Sequence, residues 1–396
     1  MPYVPQVDHM RRVRNLIEGR LPESGAYLQR LASSYRRSLD QHHLDPANTC
    51  GPRVLTAPEL RQIQHEDESF LRASGQCLSM LHQMVREADY CVMLTNAAGV
   101  TIDYRVDHDR RKDFKRAGLY LGSCWSEREE GTCGVASVLQ DQMPITVHKS
   151  DHFRAAFTTL TCSASPIFAP DGGLIGVLDA SAIRSPDERD SQRLVNQIVR
   201  QSAVLIEDGY FLNATAGDCV LLAHRNRHYV EAQPEILIAF DAVGNITAAN
   251  RCARTCIPAL QNLPLPLEQV FDLRAERLLG ARADHELVSL RLLDGGASLH
   301  ARVRMPARRI VHHLPEARSG NAPPTTAAAA ASRAKETVAS APEPADLPEP
   351  LERKRIIAAL EECKWRPVPA AARLGMSRAT LYRRIRQFKI VAPHRR

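Results

Sequence analysis

In "APELRQIQHEDESFLRASGQCLSMLHQMVREA" the apolar positions Leu60, Ile63, Phe70, Leu71, Cys77, Leu78, Leu81 and Val85 recur near helical spacing. That period predicts helix over 58–88, and residues 10–45 read as helical too. The period then shortens. "YCVMLTNAAGVTIDY" reads as two short strands around a turn at Asn96 to Gly99, and "LTCSASPIFAPDGGLIGVLDASAI" as a second hairpin turning at "PDGG". Next, "SPDERDSQRLVNQIVRQSAVLIEDGYF" predicts a long helix. In it Ser185 is placed as N-cap, Pro186 at the first helical position and Glu188 as the return half of a capping box. Helices flanking an antiparallel sheet make 58–213 one α+β domain, preceded by an N-terminal helical segment over 1–57.

A smaller α/β module follows over 231–305. "EILIAFDAVGNITAANRCART" reads as strand, turn, strand and helix, and "HELVSLRLLDGGASLHARVRM" as a hairpin around "DGG". Residues 306–348 form a linker containing "NAPPTTAAAAASRAKETVASAPEPADLPEP", which has too few large apolar side chains to offset the entropy of ordering them. It is therefore expected to be disordered. Residues 349–396 resume the helical pattern. Leu351, Ile356, Ile357 and Leu360 line a first helix, "VPAAARLGM" gives a short second one with Gly375 at the turn, and Ser377 caps "SRATLYRRIRQF". Leu381, Ile385 and Phe388 fall on the inner face of that third helix, which leaves its arginines outside.

Charge sharpens the picture of the tail. Residues 351–396 hold 13 Lys/Arg against 3 Glu, a net of +10 where the whole chain is +7, so residues 1–350 come to −3. Such asymmetry suggests a polyanion-binding tail on a near-neutral body. A basic helix whose first residues are short polar groups and arginines suits the major groove, where arginine can meet guanine bidentately. Ser377, Arg378, Thr380, Tyr382, Arg383, Arg384 and Lys389 are the candidate DNA contacts. A solvated basic helix is the competing interpretation. The small-residue helix, glycine turn and serine cap together argue against it.

Composition otherwise excludes classes. With 44% hydrophobic and 24% charged residues, the chain reads as globular. No run reaches the roughly 18 apolar residues that cross a bilayer, and the start lacks an apolar signal core. A cytoplasmic, nucleoid-associated location without membrane contact is the expectation. The ten cysteines form no paired C-x-x-C knuckles, so reduced, mostly buried thiols are expected and no metal is. Neither H-E-x-x-H, G-x-S-x-G nor a dinucleotide fingerprint occurs, and the chain is not read as an enzyme.

The tail segment "AARLGMSRATLYRRIRQF" resembles the Fis-type helix-turn-helix that ends many bacterial enhancer-binding regulators. It departs at "WRP" (Trp365 to Pro367), where that family usually has a Gly-Asn step. "SYRRSLDQHHLDP", "GSCWSEREEGTCGVASVLQ" and "DHFRAAFTTLTCSASPIFAPDGGLIGVLDAS" resemble the amino-terminal region of acetoin-catabolism-type regulators. The resemblance implies a GAF domain, a small-molecule-sensing α+β fold, followed by a PAS-like module resting mainly on "ILIAFDAVGNITAANRCAR". The family's Gly-Thr-Asn triplet is Gly131-Thr132-Cys133 here. The fold class is thus multidomain α+β: GAF domain, PAS-like α/β module, disordered Ala/Pro linker and all-α Fis-type helix-turn-helix. Regulators with these two ends usually carry an ATPase domain between them. Neither its G-x-x-x-x-G-K-[ST] loop nor its Gly-Ala-Phe-Thr-Gly-Ala loop occurs in this sequence.

Small-molecule sites are mostly apolar with a few convergent polar groups. Trp125, Glu127, Thr132, Cys133, His148, Phe153, Cys162 and Ser163 supply that mix. Structural roles compete at each position. Trp125 can be core, Glu127 a cap or an arginine's partner, and Cys133 with Cys162 a redox pair. The expectation is a sequence-specific DNA-binding regulator without its own motor. It would bind palindromic double-stranded DNA as a homodimer and sense an unidentified small-molecule effector, with no other cofactor. RNA polymerase and full-length relatives are further candidate partners. The alternative is a sensor or adaptor acting by protein–protein contacts, with only weak, nonspecific DNA association.

Overall fold

The computed structural model describes residues 6–20, 25–279, 287–293, 295, 298–306, 349–363 and the single positions 370, 373, 374, 381 and 388. The chain divides into two units, 1–312 and 313–396.

The larger unit begins with α1 (Gln6–Ile17) and α2 (Ala26–Arg36), the latter continuing as one π-type turn over Arg37–Gln41. The helical stretch expected over 10–45 is therefore interrupted, at Gly19 with its positive φ of 67°. Next come α3 (Ala57–Glu66) and α4 (Glu68–Val85). A capping box starts α3, where the Thr56 backbone N–H and hydroxyl both donate to the Glu59 carboxylate at 2.7 and 2.6 Å.

The sheet of the first domain contains β1 (Tyr90–Asn96) and β2 (Thr101–Arg105). The short helices α5 (Arg111–Arg116) and α6 (Glu127–Glu130) and then α7 (Gly134–Asp141) follow. β3 (Ile145–His148), β4 (Thr161–Phe168) and β5 (Leu174–Ala182) complete it, in the antiparallel order β2-β1-β5-β4-β3. Both expected hairpins are present. α8 (Arg193–Ala214) then packs beside α4.

Alternation divides the side chains of this sheet between two cores. Val92, Leu94, Leu178 and Ala180 pack with Phe70, Leu78 and Leu81 of α4 and with Val199, Ala203 and Ile206 of α8. Cys91, Met93, Val177, Cys162 and Ala164 face the other way, beneath Val135, Ala136 and Val138 of α7 and beneath Phe114, Leu119 and Trp125.

The start of α8 corrects the capping-box expectation. Ser185, Pro186 and Glu188 lie before the helix, which opens with a 3-10 turn at Arg189–Gln192. The segment is held elsewhere: the Ser185 hydroxyl bonds that of Thr161 at 2.7 Å, Lys149 pairs with Asp187, and the Asp187 carbonyl meets the His148 ring at 3.0 Å. Tertiary bonds to β3 and β4 outweigh the local cap.

A second antiparallel sheet takes β6 (Cys219–His224), β7 (Ile236–Phe240), β8 (Asn245–Ala249), α9 (Arg251–Cys256), β9 (Leu265–Pro266), α10 (Ala275–Leu279), β10 (Val288–Leu290) and β11 (Leu299–Arg304). Its order is β10-β11-β6-β7-β8-β9. β6 sits mid-sheet although it precedes residue 231, where the sequence pattern starts the module. One face buries Ile238, Phe240, Ile246, Leu260 and Phe271, and the other seats Phe211 of α8 against Val220, Leu237 and Ala239. α8 thus belongs to both domains.

In the smaller unit, Ile356, Ala359 and Leu360 of α11 (Glu349–Glu362) cluster with Ala370, Leu374 and Leu381, and Phe388 packs against them. The inward positions expected for Leu381 and Phe388 are observed. The linker over 307–348 lies outside the described residues.

The tightest approach in the first sheet is at Gly176 of β5, where an added Cβ would lie 2.2 Å from the Thr95 carbonyl oxygen and 2.9 Å from a Phe70 ring carbon. Gly176→Ala is expected to destabilise the domain by roughly 1–3 kcal/mol through overpacking, read as a lowered urea midpoint. An unchanged midpoint would contradict that approach.

Candidate functional site

The eight sequence-derived candidates do not share one site. Three of them hold the N-terminal helices. Glu127 takes a bidentate pair from Arg37 at 2.7 and 2.8 Å and a hydrogen bond from the Ser34 hydroxyl at 2.5 Å. That hydroxyl also lies 2.6 Å from Thr132 Oγ1. Phe153 sits edge-on to Tyr35 at 5.6 Å and packs with Val13, Leu16 and Leu31. Nearby, Asp151 accepts from Arg12 at 2.5 Å and from the Tyr27 hydroxyl at 2.8 Å, while its backbone carbonyl accepts from Tyr35 at 2.8 Å. Helices α1 and α2 are therefore clamped to the sheet domain through two buried carboxylates and an aromatic pair.

His148 and Ser163 face α8. Ser163 bonds Thr146 at 2.9 Å, and the Asn196 amide of α8 donates to that same Thr146 hydroxyl at 3.1 Å. His148 bonds Thr161 at 2.9 Å, and burial pushes its imidazole pKa down. Ser163 and Cys162 are neighbours on β4, so alternation sends them to opposite faces and a pocket cannot use both.

Trp125, Cys133 and Cys162 do converge, on the face beneath α7. The Trp125 indole donates to Thr101 Oγ1 at 3.1 Å, and its ring lies 5.4 Å from that of Phe157. Cys133 is the N-cap of α7, its sulfur accepting from the Ala136 amide at 3.4 Å. The Cys162 sulfur lies 3.4 Å from Nε2 of His152. Burial pushes both thiols well above their ordinary range, and His152, its own pKa pushed down to about 4, is held neutral. A reactive thiolate needs an exposed, electropositive setting, so these two cysteines do not suit the redox role.

The residue that sequence reasoning missed lies at the centre of this face. Asp179 of β5 is fully buried, paired across the sheet with Met93 on β1 and Ala164 on β4. Its Oδ2 accepts from the Ser181 hydroxyl at 2.5 Å, while Oδ1 has no protein partner among the described residues. Burial pushes its pKa up to about 7, with the Ser181 bond opposing. The available signal was an aspartate inside the otherwise uncharged run "LIGVLDASAI". Open surface clefts lie elsewhere, one of about 760 Å³ beside Phe271, Asp272 and Arg277 and one of about 460 Å³ beside Tyr27, Arg30 and Arg200.

The DNA-contact candidates Ser377, Arg378, Thr380, Tyr382, Arg383, Arg384 and Lys389 lie outside the described residues. Of their module, Arg373 pairs with Glu362 at 2.8 Å beside the buried cluster.

A carboxyl group whose folded pKa exceeds its unfolded one takes up protons on folding, so its contribution is lost as pH rises. For Asp179 the loss runs from about 4, the unfolded carboxyl range, to about 7 and is complete above that. Asp179→Asn is expected to gain stability over the native chain progressively across that window and to hold a constant advantage at higher pH. Urea titrations at several pH values check this. A pH-independent difference would contradict it.

Comparison with known proteins supplies the family terms. Residues 77–206 match the GAF domain family, and residues 347–388 match the family described as bacterial regulatory protein, Fis family. The acetoin catabolism regulatory protein of Cupriavidus necator is 37% identical over 290 residues, which cover 70% of this chain and 43% of the relative. The acetoin dehydrogenase operon transcriptional activator AcoR of Bacillus subtilis is 29% identical over 153 residues, 39% of this chain and 25% of the relative. The chain thus spans less than half the length of either. Among solved structures, the E. coli DhaR(N)–DhaL complex aligns with a TM-score of 0.41 and 13% identity, over 70% of this chain and 99% of that one. The chain carries a GAF domain and the Fis-family helix-turn-helix of bacterial regulatory proteins, and it is similar in sequence to regulators named for acetoin catabolism.

Proposed function

We propose that this protein is a sequence-specific DNA-binding transcription regulator whose GAF domain senses a small molecule, and that it acts without an ATPase motor of its own. The observation that carries this reading is the presence of both regulatory modules on one chain. The C-terminal module reads a palindromic site as a dimer, with recognition helices in successive major grooves. No phosphate-cradling loop occurs in the sequence, so regulation proceeds by occupying DNA or recruiting polymerase rather than by remodelling it with nucleotide energy.

The names of the relatives point to acetoin and its oxidised and reduced forms as the first effectors to try. A route for the signal is available inside the larger unit. Glu207 of α8 pairs with Arg251 of α9 at 3.2 Å, Asp208 accepts from the Asn250 amide at 3.0 Å, and Arg254 donates to the Pro170 carbonyl at 2.8 Å. A change at the GAF sheet can therefore shift the second module through packed and hydrogen-bonded groups.

Sheared genomic DNA captured by the purified full-length chain and then sequenced tests the DNA half of the proposal. A few sharply enriched sites sharing a palindrome are expected, with enrichment abolished in the double variant Arg383→Ala/Arg384→Ala. Diffuse enrichment that persists with acetoin, its diol and its diketone present would instead support an adaptor working by protein contacts. A thermal-shift series with the same three compounds tests the sensing half.

A further inference from the structure

We propose that the cleft between α2 and the start of α8 is an anion site that takes a small phosphate monoester, held by Arg189 and Arg200. It opens beside β3, the edge strand of the first sheet. The inference goes beyond the sensing role proposed above and does not depend on it.

The cleft has a volume of about 460 Å³, which suits a small molecule better than a protein segment. Four guanidinium groups line it, those of Arg30, Arg189, Arg193 and Arg200, against one carboxylate, Asp190. Asp190 is taken by Arg193 at 2.9 Å, and Arg30 pairs with Asp141 at 2.7 Å. Arg189 and Arg200 are left without an ion pair among the described residues. Of the acidic groups in the adjoining cleft, Asp151 is paired with Arg12 and Asp187 with Lys149, and Glu188 lines that cleft rather than this one.

The two unpaired arginines are placed to act together. The Arg189 guanidinium lies over the Tyr27 ring at 3.8 Å, a contact that fixes its plane and leaves in-plane N–H groups available. Arg200 falls on one face of α8 with Arg193, Asn196 and Gln197, at i, i+3, i+4 and i+7. Behind them, Arg30 is only half satisfied. Its Nε meets Asp141, while its Nη2, shielded from water, has no hydrogen-bond partner among the described residues. The first turn of α8 carries no acidic residue, so the positive end of its dipole adds to the same field.

Charge and shape select the ligand class. Two uncompensated guanidinium groups call for two negative charges, and a phosphate monoester brings them with three acceptor oxygens matched to arginine forks. A single carboxylate brings half that charge. Exposed Met143, with Pro144, forms an apolar shelf on the same cleft, against which a small hydrocarbon body can rest.

Calorimetry on the full chain in phosphate-free buffer tests the assignment with phenyl phosphate, inorganic phosphate, benzoate and uncharged benzyl alcohol. Phenyl phosphate is expected to bind most tightly, at least tenfold better than benzoate, and added salt is expected to weaken it. Arg200→Gln is expected to weaken it at least fivefold and Arg189→Gln/Arg200→Gln at least twentyfold. Arg72→Gln, on the exposed side of α4, is expected to leave it unchanged. No binding of phenyl phosphate, or equal binding of benzyl alcohol, overturns the assignment. So does undiminished binding in the double variant, the result expected if the basic tail holds the anion instead. Should the double variant fail to melt cooperatively, Arg200→Gln against Arg72→Gln decides.

Discussion

A sheet covered on both faces has no water to serve its polar side chains, so each one must find a partner within the protein. In the GAF domain α4 and α8 close one face and α7 with the Trp125 segment closes the other. The polar residues inside mostly comply. Ser163 and Thr146 satisfy one another and Asn196, Thr101 receives the Trp125 indole, and Glu127 is saturated by Ser34 and Arg37. Against that background the exceptions among the described residues of this sheet are Asp179 Oδ1, Thr95 Oγ1, Ser165 Oγ and the Tyr104 hydroxyl, which have no hydrogen-bond partner.

The same constraint explains how the N-terminal helices attach. A carboxylate such as Glu127, only 8% exposed, is tolerable if its charge is paired, and α2 brings Arg37 and Ser34 to it. Neighbouring Thr132 shares the Ser34 hydroxyl and is followed directly by Cys133, the cap of α7. The clamp and the helix over Asp179 are thus one short covalent stretch, residues 127–134. On the far side α8 runs into the second module through Phe211 and the Glu207–Arg251 pair. α7 is thus part of a structure bonded at both ends.

Much of the fold was legible in the sequence because strong periodicity leaves little choice. Both GAF hairpins were read from alternating apolar runs around Asn96–Gly99 and "PDGG". The start of α8 was misread because Ser185, Pro186 and Glu188 form a good local cap, and local chemistry cannot reveal that Thr161 and Lys149 compete for the same segment. The site was read only in part. Trp125, Cys133 and Cys162 converge as a pocket wall would, yet Glu127, Thr132 and Phe153 serve the clamp, and strand alternation separates Ser163 from Cys162. Asp179 was passed over because one aspartate in a strand carries no motif. Its meaning comes from the strands on either side, which only the register discloses.

The central claim is that the GAF domain and the DNA-binding module are energetically coupled. Linkage makes that reciprocal: an effector that changes DNA affinity must have its own affinity changed by DNA by the same factor. The most direct measurement is the affinity of the full chain for an enriched site, by fluorescence anisotropy at fixed salt, with and without a saturating GAF ligand. A shift of at least fivefold is predicted, within the usual range of such couplings. Equal affinity in both conditions, for a ligand shown by calorimetry to be bound, would contradict it.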